Sequence, residues 1–233
     1  MTQILAITGA KGGVGKSTVA LLLAWELSRL GYSVAVIDAD VQGSSVSAKI
    51  QNPDSPFQVV KAKDRRDLWE QSKRLSDQGV EFVVVDTNPR SSFEDPKFTE
   101  LLSSLADLTL VLSRPSPRDL KAQIKFAEML CGKASGEVRL VWNFVQPRTT
   151  AHKAGMPEGE TLLGIKALKS YLSSRISFQD VGFDEADIRT LGNRSASKEA
   201  ADLAAEVLKV LKVKPNGKKK AHPVRRRECT TAR

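Results

Sequence analysis

The residues best suited to chemistry in this chain form a glycine-rich segment near its amino terminus. Residues 11–18 read Lys-Gly-Gly-Val-Gly-Lys-Ser-Thr. Glycines let backbone N–H groups curve around phosphate oxygens, while Lys16 can neutralise the β and γ phosphates and the Ser17 hydroxyl can bind Mg²⁺. An apolar run at residues 3–9 precedes the segment, and a helical pattern follows it and ends at Gly31. This order of strand, glycine loop and helix predicts a site for a nucleoside triphosphate.

Polar side chains follow three other apolar runs, each at the end of its run. Asp38 and Asp40 close the run that starts at Val34. Asp86 closes a second run, and Asn143 closes a third. Ligands of a doubly wound sheet bind beyond the carboxyl ends of its strands. We therefore expect these side chains to converge with the glycine loop on one nucleotide site.

Strand-like apolar runs alternate with helical patterns along most of the chain. We predict strands at residues 3–9, 33–38, 80–86, 107–112 and 137–144. We predict helices near residues 16–30, 64–78, 97–105, 117–131, 160–174 and 197–213. The polar stretch from Asp54 to Arg66 is expected to lie on the surface. Because strands separated by helices form right-handed βαβ units, the pattern predicts an α/β fold with a doubly wound, mostly parallel sheet and helices on both faces.

The glycine-rich segment departs from the standard phosphate-binding motif. That motif has a glycine where this chain has Ala10, and it does not call for Lys11. The pattern Lys-Gly-Gly-x-Gly-Lys-Ser/Thr instead resembles the deviant Walker A motif of the ParA/MinD family of P-loop ATPases. The runs that end at Asp40 and Asp86 resemble the second acidic motif and the Walker B motif of that family. Asn88 stands where the family commonly has a proline, which leaves the acid unchanged.

The resemblance implies ATP and Mg²⁺ as cofactors and a role for each motif residue. Lys11 would reach the phosphates bound by the other subunit of a dimer, Lys16 would bind its own phosphates, and Asp40 would orient the attacking water. Ser17, Asp38 and Asp86 would hold the Mg²⁺. The implied nucleotide-binding residues are Gly12, Gly13, Val14, Gly15, Lys16, Ser17, Thr18 and Asn143. For Asn143 a contact with adenine and an ordinary structural role at a strand end remain equally open.

The charge of the chain is concentrated in its last residues. The formal net charge is +9, and residues 212–233 contain nine lysines and arginines against one acid, Glu228. Residues 1–211 are therefore almost neutral. We predict one ATPase domain at residues 1–213 and a basic, disordered tail at residues 214–233, since apolar residues almost vanish there.

The favoured function is that of a short ParA-type partition or positioning ATPase. The first predicted strand begins at Gln3. In this respect the chain resembles the ParA form that lacks an amino-terminal helix-turn-helix domain. This resemblance implies an ATP-dependent homodimer that binds DNA non-specifically, a ParB-like or centromere-binding adaptor as partner, and a cytoplasmic, nucleoid-associated location. The predicted DNA-binding residues are Arg189, Arg194 and Lys198 near the last helix, and Lys218, Lys219, Lys220, Arg225, Arg226 and Arg227 in the tail.

Two other functions remain open. A MinD-like ATPase would bind membrane through a terminal amphipathic helix, but after Val213 the tail offers Val224 as its one bulky apolar residue, so no membrane partner is expected. A metabolic relative would use ATP to activate a small carboxylate for amidation. Iron–sulfur members of the superfamily are disfavoured because the only cysteines, Cys131 and Cys229, are isolated.

The last helix and the tryptophans are expected to contribute to the core. The predicted helix at residues 197–213 carries an apolar stripe that is typical of a helix packed on the body of a domain. The stripe consists of Ala200, Leu203, Ala204, Val207, Val210 and Leu211. Burial is also the expected environment of Trp25, Trp69 and Trp142, rather than a stacking surface for a ligand.

Overall fold

The computed structural model describes residues 1–39, 56–87, 95–179 and 194–214, which contain six strands and seven helices. The strands are β1 (Gln3–Thr8), β2 (Val34–Ala39), β3 (Gln58–Lys61), β4 (Phe82–Thr87), β5 (Leu108–Ser113) and β6 (Glu137–Trp142). The helices are α1 (Lys16–Arg29), α2 (Arg65–Asp77), α3 (Pro96–Leu105), α4 (Pro117–Cys131), α5 (Thr150–Leu163), α6 (Ile176–Gln179) and α7 (Arg194–Val210).

The strands form one parallel sheet in the order β3-β2-β4-β1-β5-β6. This confirms the predicted fold class. Strand β1 lies in the middle, between β4 and β5, so the glycine segment leaves the sheet between the carboxyl ends of those two strands. The same edge of the sheet carries the ends of β2 and β6. The sheet therefore brings every predicted strand-end residue that the structure describes to one side of the molecule.

The two faces of the sheet are covered by different helices. Because side chains alternate between faces along a strand, Leu5 and Ile7 pack with α1 and α7, whereas Ala6 packs on the side of α2 and α3. The predicted stripe of α7 is confirmed on the first of these faces. Its first four members are buried, while Val210 and Leu211 are partly buried against the same cluster. In the described part of the chain, no helix combines the length and apolarity needed to cross a bilayer.

The predicted helix at residues 160–174 is wrong. The helix α5 ends at Leu163, and residues 164–175 instead run beside β6 with isolated bridges that pair Leu140 with Ala167 and Val145 with Ser173. Helix α5 begins at Thr150 although it contains Pro157 and two glycines. One of these, Gly159, lies so close to Leu120 and to the ring of Trp142 that no Cβ would fit. Close packing therefore outweighs the poor helix propensity of this segment.

Two smaller differences from the expectations concern β3 and Trp69. Residues 56–66 of the polar stretch are mostly exposed, as expected, but they include a short edge strand, β3, which pairs with β2 and was not predicted. Trp142 is fully buried and Trp25 is partly buried, but Trp69 is 46% exposed. It lies on the outer side of the amphipathic helix α2, where Lys73 Nζ is 5.5 Å from the centre of its ring. The Trp69 ring is thus partly covered by the Lys73 ammonium group and not by the core.

Candidate nucleotide-binding site

The glycine segment forms a tight loop between β1 and α1. Gly13 and Gly15 have left-handed backbone angles, with φ of 69° and 87°. Gly15 is also the N-cap of α1 and lies directly against the Asn143 side chain, where a Cβ would collide with the amide group. The first turn of α1 leaves backbone N–H groups without helical partners. A left-handed loop that leads into a helix amino terminus is suited to an anion.

The residues that directly follow β5 and β6 fasten this loop from outside. Arg114 Nη2 donates to the Gly13 carbonyl at 2.7 Å, and Asn143 Nδ2 donates to the Val14 carbonyl at 2.8 Å. In a trans peptide the C=O and the following N–H point in opposite directions. The N–H groups after Gly13 and Val14 therefore point away from Arg114 and Asn143. These two contacts therefore fix the direction of two loop N–H groups without accepting a hydrogen bond from either.

The buried side chain of Gln123 connects the start of the loop to the sheet. Its Oε1 accepts from the Ala10 amide at 3.0 Å, and its Nε2 donates to the Leu112 carbonyl at 2.7 Å. Gln123 is fully buried in α4, so both of its polar atoms need partners inside the protein. The loop is thus held at its beginning by α4 and along its outer side by β5 and β6.

The two lysines of the loop occupy different environments. Lys16 is 6% exposed, and its Nζ donates to the Lys11 carbonyl at 3.1 Å. Lys11 lies at the rim with 35% of its side chain exposed, and it forms an ion pair with the largely buried Asp119. Burial by itself raises the pKa of Asp119, but hydrogen bonds from Lys11 and from the Ser116 hydroxyl hold that pKa below its ordinary value. The rim lysine is therefore paired with a carboxylate that stays ionised.

Two predicted metal ligands lie side by side on neighbouring strands. Asp38 of β2 and Asp86 of β4 are register partners, and they are only 3% and 4% exposed. Asp38 and Asp86 each lie two residues after a valine, Val36 and Val84, and therefore on the same face of the sheet as these valines. Both valines pack against α1. Ser17 lies in the first turn of that helix. The strands and α1 therefore bring the carboxylates and the hydroxyl to the same face of the sheet.

This donor set fits a Mg²⁺-nucleotide. Mg²⁺ takes oxygen ligands and commonly uses few protein ligands together with substrate phosphates. The part of the chain that the structure describes contains no group of three or more Asp, Glu, His or Cys side chains placed to hold a metal ion. Asp40, the predicted water-orienting residue, lies outside the described residues, so its placement stays a prediction.

Asn143 is positioned at the loop, with both ends of its amide engaged. Its Nδ2 bonds the Val14 carbonyl, and its Oδ1 accepts from the Phe144 amide at 2.8 Å. The residue is 4% exposed. The structure therefore gives Asn143 a structural role beside the phosphate loop. A contact with adenine remains a prediction.

The predicted DNA-binding residues are only partly described. Arg194 and Lys198 are exposed on the first turns of α7, and Lys198 forms an ion pair with Asp202 one turn further on. Arg189 and the basic tail residues from Lys218 to Arg227 lie outside the described ranges. DNA binding by all of these residues stays a prediction.

Sequence reasoning missed three residues that shape the loop. Arg114, Asp119 and Gln123 were assigned no role at the site, although Asp119 belongs to a recognisable Ser-Pro-Arg-Asp helix start. Ser116 does cap α4, as that pattern indicates. Nothing in the pattern shows that the aspartate also pairs with Lys11, which lies 108 residues earlier in the chain.

Comparisons with known proteins agree with this geometry. The model of the CobQ/CobB/MinD/ParA nucleotide binding domain matches residues 5–185. Among solved structures, the MinD cell division protein of Aquifex aeolicus superposes with a TM-score of 0.71 at 15% identity, covering 89% of this chain and 98% of that one. A ParA family ATPase of Chlorobium tepidum gives a TM-score of 0.65 at 14% identity, covering 88% and 99%. At such identities these matches establish the fold.

Curated relatives match shorter stretches. The iron-sulfur cluster carrier protein of Aquifex aeolicus is 63% identical over 44 residues, which are 19% of this chain and 12% of that protein. The cytosolic Fe-S cluster assembly factor NUBP2 homolog of Dictyostelium discoideum is 28% identical over 184 residues, which cover 62% of this chain and 69% of that protein. The match to the first relative thus spans about an eighth of its length. The domain model, in contrast, covers most of this chain, which therefore belongs to the CobQ/CobB/MinD/ParA family of nucleotide-binding domains.

Proposed function

We propose that this protein is a ParA-type ATPase that segregates DNA or positions another cargo. The observation that carries the proposal is the second loop lysine, Lys11, which lies at the rim of the phosphate loop with a third of its side chain exposed. A lysine at that place can be reached from outside the protomer. It suits a nucleotide-dependent homodimer in which each Lys11 contacts the phosphates held by the partner.

The residues of the site divide the work of hydrolysis. Lys16 and the backbone from Gly12 to Ser17 would hold the phosphates. Thr18 would bond an α-phosphate oxygen. The Mg²⁺ held by this donor set would supply positive charge to offset that of the phosphates. Ser17 would contact that ion directly and Asp86 would hold it through water. Asp38 would support the metal and the neighbouring switch region. Asp40 orients the attacking water in line with the γ-phosphate.

Charge supports nucleic acid as the surface on which the dimer acts. Residues 212–233 carry a net charge of +8, whereas the rest of the chain is almost neutral. Two tails in a dimer would add long-range attraction to phosphate backbones. Arg194 and Lys198 of α7 would supply a second contact on the body, together with Arg189. A ParB-like or centromere-binding adaptor would stimulate hydrolysis and release, in the cytoplasm at the nucleoid.

A second candidate is iron–sulfur cluster delivery, which the names of the curated relatives favour. Clusters are usually held by several closely spaced cysteine thiolates. This chain has two cysteines, at positions 131 and 229. Burial raises the pKa of Cys131, which disfavours its thiolate form. The cysteine content therefore supports the ParA-type function over cluster transfer.

Co-sedimentation tests the proposal. The full chain is incubated with DNA or with anionic liposomes, each in the presence of ADP or a non-hydrolysable ATP analogue, and a parallel sample receives iron and sulfide under anaerobic conditions. We expect analogue-dependent sedimentation with DNA, none with liposomes, and no cluster absorbance. Binding to liposomes alone would favour the membrane alternative, and a stable transferable cluster without DNA binding would overturn the proposal.

Deletion of residues 214–233 measures the part played by the tail. Each phosphate neutralised contributes about 0.9 to the slope of log affinity against log salt. The truncated protein should bind DNA more weakly and with a shallower slope, yet keep its ATP affinity and some ATP-dependent DNA binding. An unchanged affinity and slope would confine DNA binding to the body.

A further inference from the structure

The rim lysine of the phosphate loop is held within its own protomer by a carboxylate that the proposed hydrolysis does not use. Lys11 forms an ion pair with Asp119, which lies in the first turn of α4. The Lys11 side chain is 35% exposed, whereas the Asp119 side chain is only 7% exposed. The ammonium group is thus bound to a largely buried carboxylate, while part of the lysine side chain still faces solvent.

Asp119 has stabilising partners that do not depend on Lys11. The Ser116 hydroxyl donates to its carboxylate at 2.5 Å, and the Asp119 amide donates to the Ser116 oxygen at 3.3 Å. A carboxylate in the first turn of a helix is also stabilised by the helix dipole, and Arg114 lies close enough for an electrostatic interaction. The ion pair can therefore open without leaving Asp119 as a buried charge with no compensation.

The ion pair conflicts with the contact that the proposed dimer requires of Lys11. To reach the phosphates of a partner protomer, the ammonium group has to leave the Asp119 carboxylate. Carboxylate and phosphate are both anionic acceptors, so they compete for the same cation. The free energy that the ion pair contributes to the monomer is therefore lost when Lys11 moves to the partner, and this loss opposes dimerisation.

We infer that Asp119 is a positioning residue that restrains Lys11 within the monomer and thereby limits dimerisation of the nucleotide-bound protein. It acts through the lysine and contacts no reacting group. The inference rests on the nucleotide-dependent dimer of the proposed function and concerns how formation of that dimer is regulated, whatever the cargo.

The test compares variants with the wild-type full chain. Asp119→Asn and Asp119→Ser remove the charge, Asp119→Glu keeps it, and the control Glu70→Gln removes an equal charge from an exposed ion pair on α2. Light scattering over a range of protein concentrations gives the dimer dissociation constant, with Mg²⁺ and a saturating non-hydrolysable ATP analogue. Thermal unfolding without nucleotide is recorded for each protein.

We expect Asp119→Asn to lower the dimer dissociation constant by about tenfold. A partly exposed ion pair contributes a factor of about three, and each dimer opens two of them. Asparagine has the shape of aspartate and can still accept from the Ser116 hydroxyl, so the change removes little except the charge. Asp119→Ser should shift the constant in the same direction. Asp119→Glu should stay close to wild type, because it keeps the charge and a favourable helix-capping pattern, and Glu70→Gln should not change the constant.

A double variant tests whether Asp119 acts through Lys11. Lys11→Ala/Asp119→Asn should dimerise no better than Lys11→Ala, because neither protein has a lysine to release. Better dimerisation of the double variant would mean that the Asp119 charge repels the partner directly, and the inference would then be wrong.

An unchanged or larger dissociation constant in both neutral variants would overturn the inference, since the carboxylate would then be indifferent to dimerisation or would present Lys11 to the partner. An equal shift in Asp119→Glu, together with a lower unfolding temperature, would also overturn it by showing a merely structural carboxylate. If the wild-type chain formed no dimer with the analogue, the proposed function would be contradicted and the inference with it. A wild-type dimer that the neutral variants do not strengthen would contradict the inference alone.

Discussion

The two sides of the candidate site are built in different ways. On the phosphate side, the glycine loop is fastened by a side chain of α4 and by Arg114 and Asn143, which directly follow β5 and β6. On the acidic side, Asp38 and Asp86 are brought together by the register of β2 and β4. The first arrangement depends on individual side-chain hydrogen bonds, and the second depends on the backbone of the sheet.

This difference suggests that nucleotide affinity and turnover can be changed separately. A substitution on the phosphate side removes a contact that shapes the loop, so it should change binding. A substitution of an acid leaves the strands paired as before, so it should change the chemistry while the phosphate loop stays intact. Substitutions of Asp40 and Lys16 test that separation.

The largest expected effect is on turnover. Asp40→Ala should lower the hydrolysis rate by about 10²–10⁴-fold, the usual contribution of a group that accepts a proton from the attacking water. ATP binding and dimerisation should persist, because the phosphate loop is unchanged. Phosphate release and calorimetry measure the two properties separately.

Lys16→Ala should show the opposite pattern to Asp40→Ala, because it should lose affinity for the nucleotide. Wild-type hydrolysis by Asp40→Ala would show that another residue orients the water. Loss of ATP affinity in Asp40→Ala would show that the acidic side also contributes to binding, so that affinity and turnover are not separable.

The next effect concerns the dimer. Lys11→Ala should keep much of the monomer's affinity for ATP, because Lys16 and the loop amides remain, but it should lose ATP-dependent dimerisation. Light scattering with a non-hydrolysable analogue measures this. Lys121→Ala removes an exposed lysine of α4 and serves as the control. Normal dimerisation and hydrolysis by Lys11→Ala would reduce this lysine to an ordinary loop residue.

The smallest effect lies outside the site and concerns acid stability. Burial by itself raises the pKa of Glu206 in α7, but the amides of Lys169 and Ser170 donate to the carboxylate and hold its pKa below the ordinary value. The folded state then binds fewer protons than the unfolded state. The stabilisation is therefore present above a pH of about 4.3 and is lost as the pH falls through the lowered native pKa.

Glu206→Gln should lower the free energy of unfolding by about 1 kcal/mol at pH 7. It should also flatten the decrease in stability between neutral and acidic pH. Urea denaturation at several pH values measures both effects. ATP affinity should not change, and a change would mean that α7 is coupled to the nucleotide site.

The sequence predicted the parts of the fold that depend on local patterns. Five of the six described strands, and the helices α1 to α4 and α7, lie within a few residues of their predicted bounds, because apolar periodicity and helix caps are local signals. The failures involve contacts with distant residues. In α5, Gly159 packs closely on Trp142, and residues 164–175 run beside β6, with which two of them form bridges.

The same distinction applies to the site. The amino-acid pattern alone indicates the glycine loop, its two lysines and the acids at strand ends, since the spacing of these residues along the chain is enough to predict phosphate and metal chemistry. The contacts by which Arg114 and Asn143 fasten the loop, and by which Asp119 holds Lys11, follow from the folded arrangement of the chain. These contacts join residues about a hundred or more positions apart. They arise because β1 lies beside β5, and β5 beside β6, an adjacency that is created by the order of strands in the folded sheet.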